Sequence, residues 1–187
     1  MAEYLSLMSM KKNVEITYLE IKKADEWSPV TPVAGLVLRQ LHVAFPEFNR
    51  FLYTAVGGDW FWVDRLSWTY DDWLECLNRP EHQTWVAYWE GVPAGYFELD
   101  DQSGDVEITY FGLLPQLIGR GLGRDLLSRA IEQSWQQGAE RVWLHTCSLD
   151  SPAAIQNYLA RGFVVYKTER EEVELPDISP GPWPGAR

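Results

Sequence analysis

Three glycines at alternate positions, Gly119, Gly121 and Gly123, stand where an apolar run gives way to a helical repeat. The run, residues 106–114, has the character of a strand. The repeat puts Leu122, Leu126, Leu127, Ala130, Ile131 and Trp135 on one helix face. A strand that feeds a long helix through a glycine turn is a unit of a mixed α/β sheet. Glycine tolerates positive φ and lets a ligand approach the main chain. The start of a helix carries unpaired N–H groups and partial positive charge. The junction is therefore a candidate site for an anion, most often a phosphate.

Glycine turns before helices are common, and the pattern has competitors. A dinucleotide fingerprint needs its third glycine at position 124, where this chain has Arg124. A P-loop needs G-K-[ST] at the helix start, and none is present. From the glycines alone, a tight strand–helix junction with no ligand stays open.

The rest of the chain supplies context. Residues 1–13 read as a loose tail and 14–21 as a first strand. Residues 25–32 are turn-rich, and 34–43 and 46–56 are expected helices before Gly57-Gly58 breaks the chain. Thr69 and Asp72 have capping-box spacing for a short helix through Leu77. Residues 84–89, 93–99 and 106–114 form a strand meander. The long helix stops at Gly138, and 141–147 is a short strand. Ser151 and Pro152 read as the cap and first position of another helix, which Gly162 ends. Residues 163–168 and 171–175 are expected as the last strands, and 176–187 as an irregular Pro/Gly-rich tail. The expected domain is 14–175, a mixed α/β sheet with helices on both faces.

The segment Gln116-x-x-Gly119-x-Gly121 between strand and helix resembles the acyl-CoA signature of the GNAT superfamily of N-acyltransferases, in its bacterial-type form. Downstream, Tyr158-x-x-x-Gly162-Phe163 is similar to the family's second motif, in the right order and at the right spacing. The likeness is good from Gln83 to about Glu174 and poor over the first eighty residues. Two departures stand out: Ile118 where many members have Arg, and Ser151 where many have Asn.

The resemblance implies a mostly antiparallel sheet with one splayed parallel strand pair. It implies acetyl-CoA as cosubstrate, no metal, and direct attack of a primary amine on the thioester in a ternary complex. Main-chain groups from Ile118 through Gly119, Arg120, Gly121, Leu122 and Gly123 to Arg124 would hold the pyrophosphate. Arg120 and Arg124 would replace the charge missing at Ile118, and Ser151 would contact the pantetheine arm. Leu113 matches the splayed-strand residue whose N–H supports the thioester carbonyl. Tyr158 matches the general acid for the CoA thiolate.

An amine with a reference pKa near 10.4 is neutral in only roughly one molecule in 2,500 at pH 7. A base is therefore needed. Glu107 lies where the family sometimes carries a catalytic glutamate, and His145 is the alternative. A Cys147–His145 nucleophile pair is conceivable from their i, i+2 spacing, though that spacing rarely gives the geometry.

The formal net charge of −11 argues against nucleic acid as partner and suits a cationic acceptor, small molecule or peptide. It also makes local positive charge at the glycine loop more necessary, since acyl-CoA is an anion. Cys76 and Cys147 have no metal or disulfide-framework spacing, which suits a cytoplasmic setting. No apolar stretch is long enough to span a membrane. A homodimer is left open. Trp60, Trp62, Trp68 and Trp73 crowd one region with Asp59, Asp64, Asp71 and Asp72 interleaved, an arrangement suited to core packing or to an acceptor wall. Two competing functions are an acyl-CoA-binding module without turnover and a nucleotide-dependent enzyme using the same loop.

Overall fold

Alternation along the central strands decides the architecture. Ala87, Phe97 and Leu99 point to one side of the sheet, and Val86 and Tyr96 to the other. Both sets are apolar, so both faces must be covered. The computed structural model describes residues 9–183. It contains β1 (Ser9–Ile21), β2 (Leu36–Gln40), α1 (Pro46–Gly57), α2 (Tyr70–Leu77), β3 (His82–Trp89), β4 (Val92–Gln102) and β5 (Asp105–Leu113). After a 3-10 turn at Pro115–Leu117 come α3 (Leu122–Gln136), β6 (Arg141–Cys147), α4 (Pro152–Ala160) and β7 (Val164–Pro176).

The seven strands form one sheet in the order β2-β3-β4-β5-β6-β1-β7. Every neighbouring pair is antiparallel except β5 and β6. Helix α3 lays Leu122, Leu126, Leu127, Ala130 and Ile131 on the face carrying Phe97, Leu99, Val106 and Leu144. Helix α1 covers the opposite face with Leu52 and Val56 against Val86 and Tyr96. Each such side chain, fully buried, stabilises the fold by about 1.5–3 kcal/mol.

Local signals set most boundaries. Thr69 and Asp72 form a reciprocal capping box at the start of α2. Ser151 accepts the Ala153 N–H at the start of α4, with Pro152 at the first turn. Gly138, at φ +97, turns the chain out of α3. Gly162, at φ +98, has a second constraint: an added Cβ would lie 2.4 Å from the Glu26 carbonyl oxygen.

Three expectations are corrected. Residues 34–43 are not a helix; Gly35 turns at φ +79 and Leu36–Gln40 pairs with β3 as an edge strand. Their apolar spacing suits either period over so short a run, and the vacant edge of β3 decides. Residues 9–13 are not loose, because β7 extends far enough to pair Ser9 with Pro176. The last two strands are one, since β1 offers β7 an unbroken partner past the charged residues 169–172. Residues 1–8 and 184–187 of the expected tails lie outside the described residues.

The parallel pair is short. Asp105, Glu107 and the residue between them pair with Arg141–Trp143, and the contact ends there. Arg141 staples that end, donating to Glu20 of β1 at 2.7 Å and to Asp105 of β5 at 2.9 Å. Beyond Glu107, β5 stays with β4 while β6 stays with β1, and the sheet opens between them.

Candidate active site

The opening between β5 and β6 is a cleft of about 710 Å³. Leu113, Ile118, Gly123, Ser151 and Tyr158 line it at one end, and Glu107 and His145 lie along the same wall. Sequence-distant candidates thus meet on one surface.

The orientation of the Leu113 amide follows from its neighbour. The Leu114 N–H donates to the Ala94 carbonyl on β4 at 2.9 Å. Successive amides of a strand point to opposite sides, so the Leu113 N–H faces the opening. At the loop, Gly119 and Gly121 hold φ +86 and +79. The start of α3 has no side-chain cap. Among the described residues, no N–H from Gly119 to Arg124 donates to an acceptor outside the helix. These are the free donors an anion needs. The Leu122 side chain is wholly buried in the core, which leaves only its main chain at the loop.

Arg120 and Arg124 answer the problem posed by the acidic composition. Neither has a carboxylate partner among the described residues. Arg120 lies over the Trp89 ring at 5.5 Å, and the Arg124 guanidinium lies beside Gly121. Two unneutralised cations flank the loop in a chain of net charge −11.

Tyr158 is buried, with Phe111 and Phe163 packed edge-on at 6.2 and 6.1 Å. Burial pushes its pKa up, with Asp150 and Cys147 adding in the same direction, so the phenol stays neutral at pH 7. Tyr158 lines the cleft.

Glu107 and His145 lie within hydrogen-bond distance of one another. Nδ1 of His145 lies 3.1 Å from Oε1 of Glu107, and Gln102 donates to the other carboxylate oxygen at 2.9 Å. The hydrogen bond to Glu107 raises the His145 pKa, against a smaller opposing effect of burial. With Nδ1–H given to Glu107, Nε2 keeps its lone pair. Cys147 shares the cleft, but burial pushes its thiol pKa up, which works against a thiolate. The Cys–His idea gains no support from this environment.

The other end of the cleft is walled by Trp60, Phe61, Trp62, Val63, Asp64 and Arg65 from the α1–α2 loop. The aromatic crowd has a resident cation. Arg65 lies over Tyr110 at 4.2 Å and Trp68 at 4.6 Å, and pairs with the fully buried Glu98 at 2.7 Å. Attraction to Glu98 and Tyr110 outweighs burial and raises its pKa, so it is always charged. Trp68 and Trp73 therefore serve the core and Arg65. Asp72 is used in its helix cap. Asp64 lines the cleft and has no ion pair or hydrogen bond among the described residues.

Sequence reasoning missed Gln102, Phe111 and Asn157. Asn157 donates to the Gly123 carbonyl at 3.3 Å and ties α4 to the first turn of α3. Nothing local marks these residues, since each acts across a pairing or packing contact. No group of three or more His, Cys, Asp or Glu is placed to hold a metal ion among the described residues.

Residues 44–163 match the Acetyltransferase (GNAT) family. The chain belongs to this family. Its members transfer acyl groups from acetyl-CoA. A curated relative, the N-acetyltransferase YjgM of Escherichia coli (strain K12), itself uncharacterized, is 28% identical over 101 residues. That match covers 51% of this chain and 60% of the relative's length. Among solved structures, a GCN5-related N-acetyltransferase from Sphaerobacter thermophilus superposes with a TM-score of 0.64 at 17% identity, covering 91% of this chain and 54% of that one. Another from Kribbella flavida gives 0.62 at 17% identity, covering 94% and 62%. At these identities the structures speak for the fold, a mixed sheet with one parallel pair. No helix among the described residues is long and apolar enough to cross a membrane.

Proposed function

We propose that this GNAT member moves an acetyl group from acetyl-CoA to a primary amine by direct attack in a ternary complex. One observation carries the reading: the opening between β5 and β6 gathers the Leu113 N–H, the Tyr158 hydroxyl and the Glu107–His145 pair along one cleft.

The free amides of Gly119 to Arg124, with Arg120 and Arg124, bind the pyrophosphate. Ile118 and Ser151 flank the pantetheine arm. The Leu113 N–H donates to the thioester carbonyl as its oxygen gains negative charge. His145 takes the amine proton at Nε2, directly or through water, while Glu107 orients the ring and stabilises the imidazolium. The amine nitrogen bonds to the carbonyl carbon, the C–S bond breaks, and Tyr158 gives its proton to the leaving sulfur. Solvent restores both groups. In this reading Glu107 acts through His145.

The acceptor is a cation before it reacts, on a small molecule or a peptide. The unpaired Asp64 and the cleft-lining Glu174 favour it, and Arg65, which also lines the cleft, is already paired with Glu98. A thiol-release assay with acetyl-CoA against pooled amines, polyamines, amino acids, aminoglycosides and peptides tests the proposal. Turnover with an amine supports it. Binding of acetyl-CoA with no release beyond slow hydrolysis across the panel overturns it in favour of a binding module.

A further inference from the structure

Residues 177–183 follow β7 and lie beyond the family match. They return to the α1–α2 loop. Ser179 Oγ donates to the Gly58 carbonyl at 2.6 Å and accepts the Phe61 N–H at 3.2 Å. The Gly181 N–H donates to the same carbonyl at 2.9 Å. The fit is close: a Cβ on Gly58 would lie 2.6 Å from the main chain of Gly181.

The turn held in this way is a strained one. Phe61 has φ +58, a conformation that residues with a Cβ rarely hold unless their surroundings impose it. Within the same turn, the Trp60 and Trp62 N–H groups both donate to the Gly57 carbonyl, at 2.8 and 3.3 Å. A Cβ on Gly57 would strike the Trp62 ring at about 2.1 Å. The turn thus projects Trp60, Phe61 and Trp62 together, and these three rings line the acceptor end of the cleft. A single hydroxyl, that of Ser179, bridges its two ends.

We propose that residues 177–183 are a strap that fixes the acceptor wall, with Ser179 as the positioning residue. Its kinetic consequence rests on the acetyltransferase reading; its structural consequence does not. Two variants of the full chain, Ser179→Ala and Ser179→Thr, and a chain ending at Pro176 test it.

In Ser179→Ala the Phe61 amide, followed by NMR, should exchange about tenfold faster, with α3 amides unchanged. With the best amine from the thiol-release panel, KM for the amine should rise about fivefold and KM for acetyl-CoA stay within about twofold. Ser179→Thr, which keeps the hydroxyl, should restore both readouts. The shortened chain should raise the amine KM further while still binding acetyl-CoA; if it loses acetyl-CoA binding it has misfolded, and Ser179→Ala decides. Unchanged Phe61 exchange in Ser179→Ala overturns the strap. Faster exchange with an unchanged amine KM overturns its role in the acceptor wall. If the unaltered protein releases no thiol with any amine, the acetyltransferase reading fails, and exchange alone still decides whether the strap holds the turn.

Discussion

The two ends of the cleft are built from different material. The proposed cofactor end is main chain: amides at the head of α3 and one amide at the edge of β5, with two arginines lacking a carboxylate partner beside them. The proposed acceptor end is side chain: aromatic rings, Asp64 and the Glu107–His145 pair, brought from the α1–α2 loop, β5 and β6. Main-chain donors bind any diphosphate in much the same way and depend on backbone conformation alone. Side chains select among acceptors and depend on packing from every element around them. The first end suits a shared cosubstrate, the second a particular amine.

Tyr158 lies at the seam and breaks the comparison most directly. Tyr158→Phe should lower kcat by about 10²–10⁴-fold with acetyl-CoA affinity kept, as judged by steady-state rates and calorimetry. Unchanged turnover would remove it as the acid.

Arg65 separates the two ends by stability. Arg65→Ala leaves Glu98 buried without its counter-ion and empties the space between Trp68 and Tyr110. It should cost about 3–5 kcal/mol in denaturant unfolding. At concentrations where the variant is folded, KM for acetyl-CoA should be kept and KM for the amine raised.

Gly121→Val should weaken acetyl-CoA binding by about tenfold or more, because it strains a φ of +79 and places methyl groups over the amides. Gly138 is the control, at φ +97 with nothing within 4 Å of an added Cβ. Gly138→Val should destabilise through the same strain and leave affinity intact. Equal loss of affinity in both would mean that the loop is not the phosphate site.

The subtlest change is in pH dependence. His145 works as a base when neutral, so kcat/KM should rise with pH through its pKa, which Glu107 holds above the ordinary 6.5. In Glu107→Gln the raising interaction goes while burial still lowers the pKa. The acid limb should move to lower pH, with a reduced plateau. Disappearance of the limb would instead make Glu107 itself the base. The same pair links to stability. A raised histidine pKa stabilises the fold fully below pH 6.5, and that contribution fades as pH rises through the folded value. Glu107→Gln should flatten this small slope in thermal unfolding.

Legibility followed the same division. The strand–loop–helix junction, the cap at Ser151, the capping box of α2 and the meander were readable because each depends on residues within a few positions. Gly162 was readable as a helix stop, but its close approach to Glu26 was not. The strand at Leu36–Gln40 was misread because a short apolar run has no period of its own, and the edge of β3 decided it. Glu107 and His145 read as alternatives in sequence, 38 positions apart, and come within hydrogen-bond distance only because β5 and β6 run parallel.

By itself, then, the sequence determined the glycine turn, the helix it opens and the two motifs that name the family, since backbone preference and local capping act over a few residues. Only the tertiary structure decided where β1 inserts, how far β5 and β6 stay together, that Arg65 fills the aromatic cage, and that Ser179 reaches the acceptor turn. Those outcomes depend on which distant groups meet at ångström range, and one-dimensional spacing carries no record of that.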